Sequence, residues 1–163
     1  MNIYGVVGFK NAGKTGLMER LVAEITGRGL TVSTIKHAHH SFDVDQPGKD
    51  SYRHREAGAT QTLLASKTRW ALMTELRGAD EPPLAMLLSH IAPVDLVLIE
   101  GYKRDRHPKV EAFRAETGNP LLALSDPTVK AVATDTPQEL TQPQFDLNDT
   151  QAIADFILGE LGL

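Results

Sequence analysis

The chain has no cysteine among its 163 residues, a single tryptophan and no long apolar run. The lack of cysteine excludes disulfide bonds, thiol nucleophiles, iron–sulfur clusters and zinc sites built on thiolates. No stretch of about 18 uncharged apolar residues occurs, and the first residues lack the basic segment of a signal peptide. We therefore expect a cytoplasmic protein with no membrane partner.

Basic residues are scarce in the last third of the chain. Residues 1–114 contain 16 Lys and Arg against 13 Asp and Glu, whereas residues 115–163 contain 1 against 8. The small basic surplus of the first part is too weak for a nucleic-acid footprint, so we expect a small phosphorylated ligand and no nucleic-acid partner. The length suits one domain, which we predict over residues 1–163.

Apolar runs alternate with helical patterns along the chain, which predicts an α/β fold with a mostly parallel, doubly wound sheet. The ligand of such a sheet is expected at the carboxyl ends of its strands. The predicted strands are residues 2–9, 30–37, 60–66, 70–75 and 94–100, with weaker candidates at 110–113, 121–124 and 130–133. Helices are predicted from about residue 14 to 27, over 50–57 with Asp50 or Ser51 as the cap, over 82–91 and over 150–161.

The segment GFKNAGKT, residues 8–15, matches the phosphate-loop pattern G-x-x-x-x-G-K-[ST] at every fixed position. It lies between a predicted strand and a predicted helix, where backbone N–H groups and the helix dipole attract an anion. We expect Lys14, exposed before a ligand arrives, to reach the β- and γ-phosphates, and the Thr15 hydroxyl to ligate Mg²⁺. The candidate nucleotide-binding residues are Gly8, Lys10, Asn11, Ala12, Gly13, Lys14, Thr15 and Gly16.

A second ligand of the metal is expected at the end of another central strand. The apolar run LVLIE ends in Glu100, which is our candidate for a Walker-B-type carboxylate. The alternative is a structural glutamate paired with Lys103 or Arg104. Asp95, at the start of the same strand, is expected to have a structural role.

The segment 36–50 concentrates histidines and aspartates in a loop after the second strand. Three interpretations remain open. His37 and His39 could bind a transition metal; Asp43, Asp45 or Asp50 could reach Mg²⁺ or its waters, with Asp45 as the metal-ligand candidate; or the loop has no role. Arg55, on the following helix, could approach phosphates; the alternative is a solvated arginine paired with Glu56.

Beyond these motifs, the sequence resembles the MobB family of molybdopterin-guanine dinucleotide biosynthesis adapter proteins. The matching stretches are GFKNAGKT (8–15), IKHAHHSFDVDQPGKDSY (35–52), Arg55 with AGATQT (57–62), RWALMTE (69–75), DLVLIEGYK (95–103) and AVATDTP (131–137). They are spread from residue 8 to residue 137, so the resemblance extends over most of the chain.

The resemblance implies a P-loop NTPase-like three-layer sandwich, a homodimer, GTP and Mg²⁺ as ligands, and slow GTP hydrolysis. It also implies partnership with the guanylyltransferase that joins GMP to molybdopterin and with molybdopterin-inserting proteins. The family's loop motif maps onto His37, His39, His40, Asp43, Asp45, Lys49, Asp50 and Arg55, and its strand-end motif onto Glu100 and Lys103.

Recognition of guanine is assigned to one carboxylate. The chain contains no N-K-x-D segment, but Asp135 follows a predicted strand within a matching stretch and could accept hydrogen bonds from guanine N1 and N2. The alternative is a turn-forming aspartate ahead of Pro137.

Two classes of function fit these features. The first is a Mg²⁺–GTP-binding adapter protein, at most a weak GTPase. The second is an enzyme, a small-molecule kinase or ATP-dependent ligase of the dethiobiotin-synthetase kind, in which Asp43 or Asp50 serves as the base. A metallochaperone GTPase is a third possibility, although such proteins usually offer thiolates or long histidine tracts.

Overall fold

The computed structural model describes residues 1–38 and 42–163, and the chain divides into two compact units. The first unit comprises Met1–His37 with Ile91–Leu163, and the second comprises Ala38–His90. The single domain expected over residues 1–163 stays a prediction. Within the described residues, no helix is both long and apolar enough to cross a bilayer.

The first unit contains a six-stranded sheet with the order β2-β5-β1-β6-β7-β8, in which every neighbouring pair is parallel. Its strands are β1 (Asn2–Val7), β2 (Val32–Lys36), β5 (Leu96–Glu100), β6 (Lys109–Phe113), β7 (Val129–Thr134) and β8 (Gln144–Asp146). Its helices are α1 (Lys14–Gly27) and α4 (Thr150–Leu161). The expected α/β class, with a parallel sheet flanked by helices, is confirmed.

The two helices of this unit pack together on one face of the sheet. Their apolar residues recur at helical spacing, and Leu21 and Ile157 are fully buried in the resulting core. β5 is buried along its whole length, as its continuous apolar run predicts for a central parallel strand. Burying such side chains is the main source of stability, at about 1.5–3 kcal/mol each.

On the opposite face of the sheet, one strand prediction is wrong. Residues 121–124 do not form a strand, because Leu122–Leu124 adopt a 3₁₀ turn. The fully buried Glu111 carboxylate accepts hydrogen bonds from the N–H groups of Leu122 and Ala123, both at 2.9 Å. A side chain from β6 therefore takes the bonds that a sheet ladder would have used.

Strand β8 was not expected from the sequence. It has three residues, follows Pro143 and lies at the edge of the sheet. Three residues are too few to show the alternation of apolar and polar residues that predicts a strand. The pairing of β8 with β7 depends on tertiary contacts.

The second unit contains α2 (Asp50–Glu56), α3 (Leu84–Ser89) and an antiparallel hairpin of β3 (Gln61–Ala65) and β4 (Trp70–Thr74). The expected cap of α2 is wrong, because Lys49 occupies the N-cap position without a side-chain hydrogen bond. On the hairpin, Leu63 opposes Leu72 and Ala65 opposes Trp70. Leu63 and Trp70 are 61% and 68% exposed, so this apolar face is uncovered in the isolated chain.

Candidate functional site

The phosphate-loop segment connects β1 to α1 at the carboxyl edge of the sheet. Its backbone requires positive φ angles at Gly8 (143°), Asn11 (67°) and Gly13 (92°). A Cβ atom on Gly8 would lie 2.3 Å from the carbonyl oxygen of Ala112, so only glycine fits there. The motif's first glycine is therefore required by the packing of the loop against β6.

The first turn of α1 is open to an anion. Gly13 is the N-cap, and in the part of the chain that the structure describes this helix start has no side-chain cap and no acidic residue. Its unpaired N–H groups and the positive end of the dipole favour a negative ligand. The candidate residues Lys10, Asn11 and Thr15 are exposed at this point, whereas Ala12 is buried.

Lys14 is half-buried, which corrects the expectation that it is exposed. Its Nζ donates to the carbonyl oxygen of Phe9 at 2.7 Å, so the side chain lies back across the loop. Burial lowers the pKa of Lys14, and the neighbouring Lys103 ammonium lowers that pKa further, while Glu100 opposes the change. The phosphate loop thus holds the Lys14 ammonium, whose positive charge is only partly compensated, and this favours binding of an anion.

Thr15 and Glu100 meet at the carboxyl edge, as the candidate metal site requires. The Thr15 hydroxyl donates to Glu100 Oε1 at 3.4 Å. The register of the sheet aligns Lys36 of β2 with Glu100 of β5, and Lys36 Nζ lies 3.3 Å from the carboxylate. The partner of Glu100 is thus Lys36 rather than Lys103 or Arg104, and sequence analysis missed this lysine although it ends a predicted strand.

The residues after β5 line the same edge. Gly101 has a φ of 96°, and a Cβ there would lie 2.9 Å from the His37 Cβ. The His37 ring stacks on Tyr102 with centroids 4.4 Å apart. Lys103 Nζ lies 4.1 Å from the centre of the Phe9 ring in the phosphate loop, and burial lowers the pKa of Lys103.

Three lysines therefore lie at this edge, two of them close to the Glu100 carboxylate and the third close to Lys14. Lys14, Lys36 and Lys103 influence one another or Glu100 electrostatically. Mutual repulsion among ammonium groups is relieved by a polyanion, and a nucleotide triphosphate is such a ligand.

Asp135 follows β7 and borders a cavity of about 260 Å³ at the ends of β7 and β8. The cavity is lined by Thr134, Asp135, Thr136, Pro137, Gln144, Phe145 and Asp146. The N–H of Ala115 donates to Asp135 Oδ1 at 3.1 Å, which fixes the carboxylate at the rim. The volume lies just below the usual range of small-molecule sites.

Three acidic residues of the second unit surround Arg55. Its guanidinium donates to both oxygens of Asp45, through Nη2 at 2.7 Å and Nε at 3.2 Å. It also bonds Asp43 at 2.9 Å and Glu75 at 3.2 Å. The hydrogen bond from Arg55 lowers the pKa of the Asp45 carboxyl. Arg55 thus pairs with residues other than its neighbour Glu56.

The remaining loop candidates are Asp50, His39 and His40. Asp50 is highly exposed in the first turn of α2, with Arg53 4.0 Å away. His39 and His40 lie outside the described residues. Within residues 1–38 and 42–163, no three His, Asp or Glu side chains converge in a way that could hold a metal. The metal roles of Asp45, Asp50 and the histidines stay predictions.

Comparison with known proteins gives consistent matches. The model of the family "MobB: Molybdopterin guanine dinucleotide synthesis protein B" matches residues 3–135. A molybdopterin-guanine dinucleotide biosynthesis adapter protein of Escherichia coli K12 is 42% identical over 153 residues, which are 92% of this chain and 87% of that protein. The Haemophilus influenzae protein of the same name is 42% identical over 161 residues, covering 95% and 86%.

Solved structures agree with these matches. The crystal structure of a MobB homolog from Bacillus stearothermophilus has a TM-score of 0.75 and 31% identity, and the match covers 99% of both chains. Bacillus subtilis MobB has a TM-score of 0.76 and 27% identity, with 98% of each chain covered.

Proposed function

Because the chain belongs to the molybdopterin guanine dinucleotide synthesis protein B family, we propose that it is a GTP-binding adapter protein in the biosynthesis of that dinucleotide. It holds Mg²⁺–GTP in the Walker A loop and assists the guanylyltransferase that joins GMP to molybdopterin. Hydrolysis of GTP is slow at most. The observation that carries the proposal is the convergence of the phosphate loop, Thr15 and Glu100 at one edge of the sheet.

The phosphates bind at the start of α1. The uncapped first turn and the positive-φ loop support this assignment, because they orient N–H groups toward one point. Lys14 leaves the Phe9 carbonyl and bonds the terminal phosphates, whose negative charge opposes the lowering of its pKa by burial and by Lys103.

Mg²⁺ fits the donor set at this edge. It prefers oxygen ligands and takes several of them from the nucleotide and water, so a hydroxyl and one carboxylate suffice from the protein. Thr15 and Glu100 supply these two groups. The metal, when bound, neutralises charge between the phosphates.

The base lies at the cavity beside Asp135. A carboxylate accepts from the two adjacent donors of guanine, N1 and N2, and has no equivalent pair of donors in adenine. The Ala115 N–H keeps the Asp135 carboxylate in place at the rim. GTP is therefore preferred over ATP.

The protein acts as a homodimer. The exposed apolar face of the hairpin, with Leu63, Leu72 and Trp70, supports this part of the proposal, because an uncovered patch of large apolar side chains is typical of an interface. The guanylyltransferase and the molybdopterin-inserting proteins remain the expected heterologous partners.

The kinase or ligase alternative receives less support. Its two candidate bases are Asp43, which is ion-paired with Arg55, and Asp50, which is highly exposed with Arg53 4.0 Å away and lacks the fixed position that a base requires.

Titration calorimetry tests the proposal. GTP should bind more tightly than ATP, and Mg²⁺ should strengthen binding. Lys14→Ala should abolish detectable binding, whereas Lys130→Ala should not, because Lys130 is an exposed lysine near the start of β7, at the opposite edge of the sheet. Unchanged GTP affinity in Lys14→Ala would contradict the phosphate-loop assignment.

A further inference from the structure

Arg114 is in contact with the phosphate loop, although no motif identifies it. It follows β6 at the carboxyl edge of the sheet. A Cβ atom on Gly13 would lie 3.4 Å from Arg114 Nε and 3.7 Å from Nη2. The guanidinium therefore packs directly against the residue that starts α1.

The donors of this guanidinium are poorly used by the protein. Nε is buried, and among the residues that the structure describes it has no hydrogen-bond partner. Nη1 lies 3.5 Å from Glu116 Oε1, a long contact to a side chain that is mostly exposed. Buried donors in native proteins nearly always have a partner, so the protein's own hydrogen bonds do not account for the position of this guanidinium.

Arg114 is also adjacent in the chain to a residue that contacts the rim of the cavity at Asp135. Ala115, the next residue, donates its N–H to the Asp135 carboxylate. On the other side, Leu147 Cδ2 would lie 3.2 Å from a Cβ on Gly13, and Leu147 directly follows the cavity-lining Asp146. Arg114 and the buried Leu147 thus both contact Gly13 and are adjacent in the chain to residues at the cavity or bonded to its rim.

The sheet order separates the two ends of a bound nucleotide. β1 lies between β5 and β6. Lys36 and Glu100 belong to β2 and β5 on one side, where the terminal phosphates and metal bind under the proposed function. Arg114 belongs to the other side, toward β7 and β8. This is the side of Asp135, to which the proposed function assigns the base.

We infer that Arg114 is a nucleoside-binding residue whose planar guanidinium stacks on the base of the nucleotide held in the loop. A guanidinium stacks on aromatic faces far better than an ammonium does, and every base offers such a face. This inference rests on the proposed function, since it requires a nucleotide in the loop. Arg114 supplies affinity for the nucleoside, and Asp135 supplies the choice of base.

The test compares GTP with inorganic tripolyphosphate, which has the phosphates but no nucleoside. Affinities are measured in Mg²⁺ by displacement of a fluorescent GTP analogue from the parent, Arg114→Met, Arg114→Lys and Arg106→Met. Arg106 is an exposed arginine that approaches the start of β6 at the opposite edge, so its variant controls for the loss of charge.

Arg114→Met should weaken the affinity for GTP about tenfold, which corresponds to one base-stacking contact, and should change the affinity for tripolyphosphate by less than about twofold. Arg114→Lys should also weaken GTP binding, because lysine keeps the positive charge but lacks the planar guanidinium that stacks on the base. Arg106→Met should change neither ligand. If Arg114→Met does not fold, the affinities of Arg114→Lys for GTP and tripolyphosphate are compared in the same way.

Equal losses for GTP and tripolyphosphate would overturn the inference, as would parental GTP affinity in both Arg114 variants. Those results leave the proposed function intact, because the parent still binds GTP. A parent protein that binds neither ligand would instead refute the proposed function.

Discussion

Replacing Glu100 with glutamine distinguishes the contribution of the metal to GTP affinity from the contribution of the nucleotide itself. The substitution keeps the shape of the side chain and removes its charge. Glu100 accepts a hydrogen bond from the Thr15 hydroxyl and ends the central strand β5. Only the metal needs the carboxylate charge, so Glu100→Gln should weaken GTP binding in Mg²⁺ and not in its absence.

The expected magnitude follows from the surroundings of the carboxylate. Its partner Lys36 is 59% exposed, so their ion pair contributes about 0–1 kcal/mol and the variant remains folded. Losing a charged ligand costs about 1.5–3 kcal/mol, which is roughly a 10- to 150-fold loss of affinity in Mg²⁺. Without Mg²⁺ the substitution removes a negative charge near the phosphates, so affinity should stay constant or rise.

Calorimetric titration with GTP in Mg²⁺ and in EDTA measures both quantities. Glu160→Gln is the matched control, because it removes the same charge from an exposed position on α4. Equal losses with and without Mg²⁺ would refute a metal role and indicate that Glu100 is structural.

Three further predictions concern the loop, a buried histidine and the hairpin. Gly8→Ala should cost about 1–3 kcal/mol of stability in urea unfolding and abolish GTP binding, since its Cβ has no space. Gly27→Ala, where a Cβ meets nothing within 4 Å, should leave binding intact, and equal behaviour of the two variants would contradict the packing explanation. Burial lowers the pKa of His107 from 6.5 to about 4, so the unfolded chain takes up a proton first as the pH falls. The contribution of neutral His107 to the free energy of unfolding is complete above about pH 6.5 and should fall by about 2 kcal/mol at pH 5. Urea unfolding at the two pH values should measure this loss, and the loss should be smaller in His107→Gln. Trp70→Asp should convert the proposed dimer into a monomer in sedimentation, and a monomeric parent protein would contradict the dimer.

Local patterns were sufficient to predict the elements that form the edge of the sheet. The apolar run before Glu100 became β5, and the helical spacing at the end of the chain became α4 with the predicted bounds, Thr150–Leu161. Both segments carry a long, uninterrupted pattern, which outweighs competing contacts. The meeting of Thr15 and Glu100 follows from the rule that parallel strands end at the same edge.

Features that depend on contacts between distant residues escaped prediction. The turn at Leu122 depends on the Glu111 carboxylate, which lies eleven residues away along the chain. The pairing of Lys36 with Glu100 depends on strand order, which no local pattern encodes. Arg114 carries no motif at all, and only the packing of its guanidinium against Gly13 identifies it.

A crystal structure of the protein with Mg²⁺ and a non-hydrolysable GTP analogue tests the central claim most directly. The β- and γ-phosphates should bond the backbone N–H groups of residues 10–15 and Lys14 Nζ, with the metal on Thr15 and Glu100. A phosphate loop that remains empty at saturating nucleotide, with Lys14 still bonded to the Phe9 carbonyl, would contradict the account.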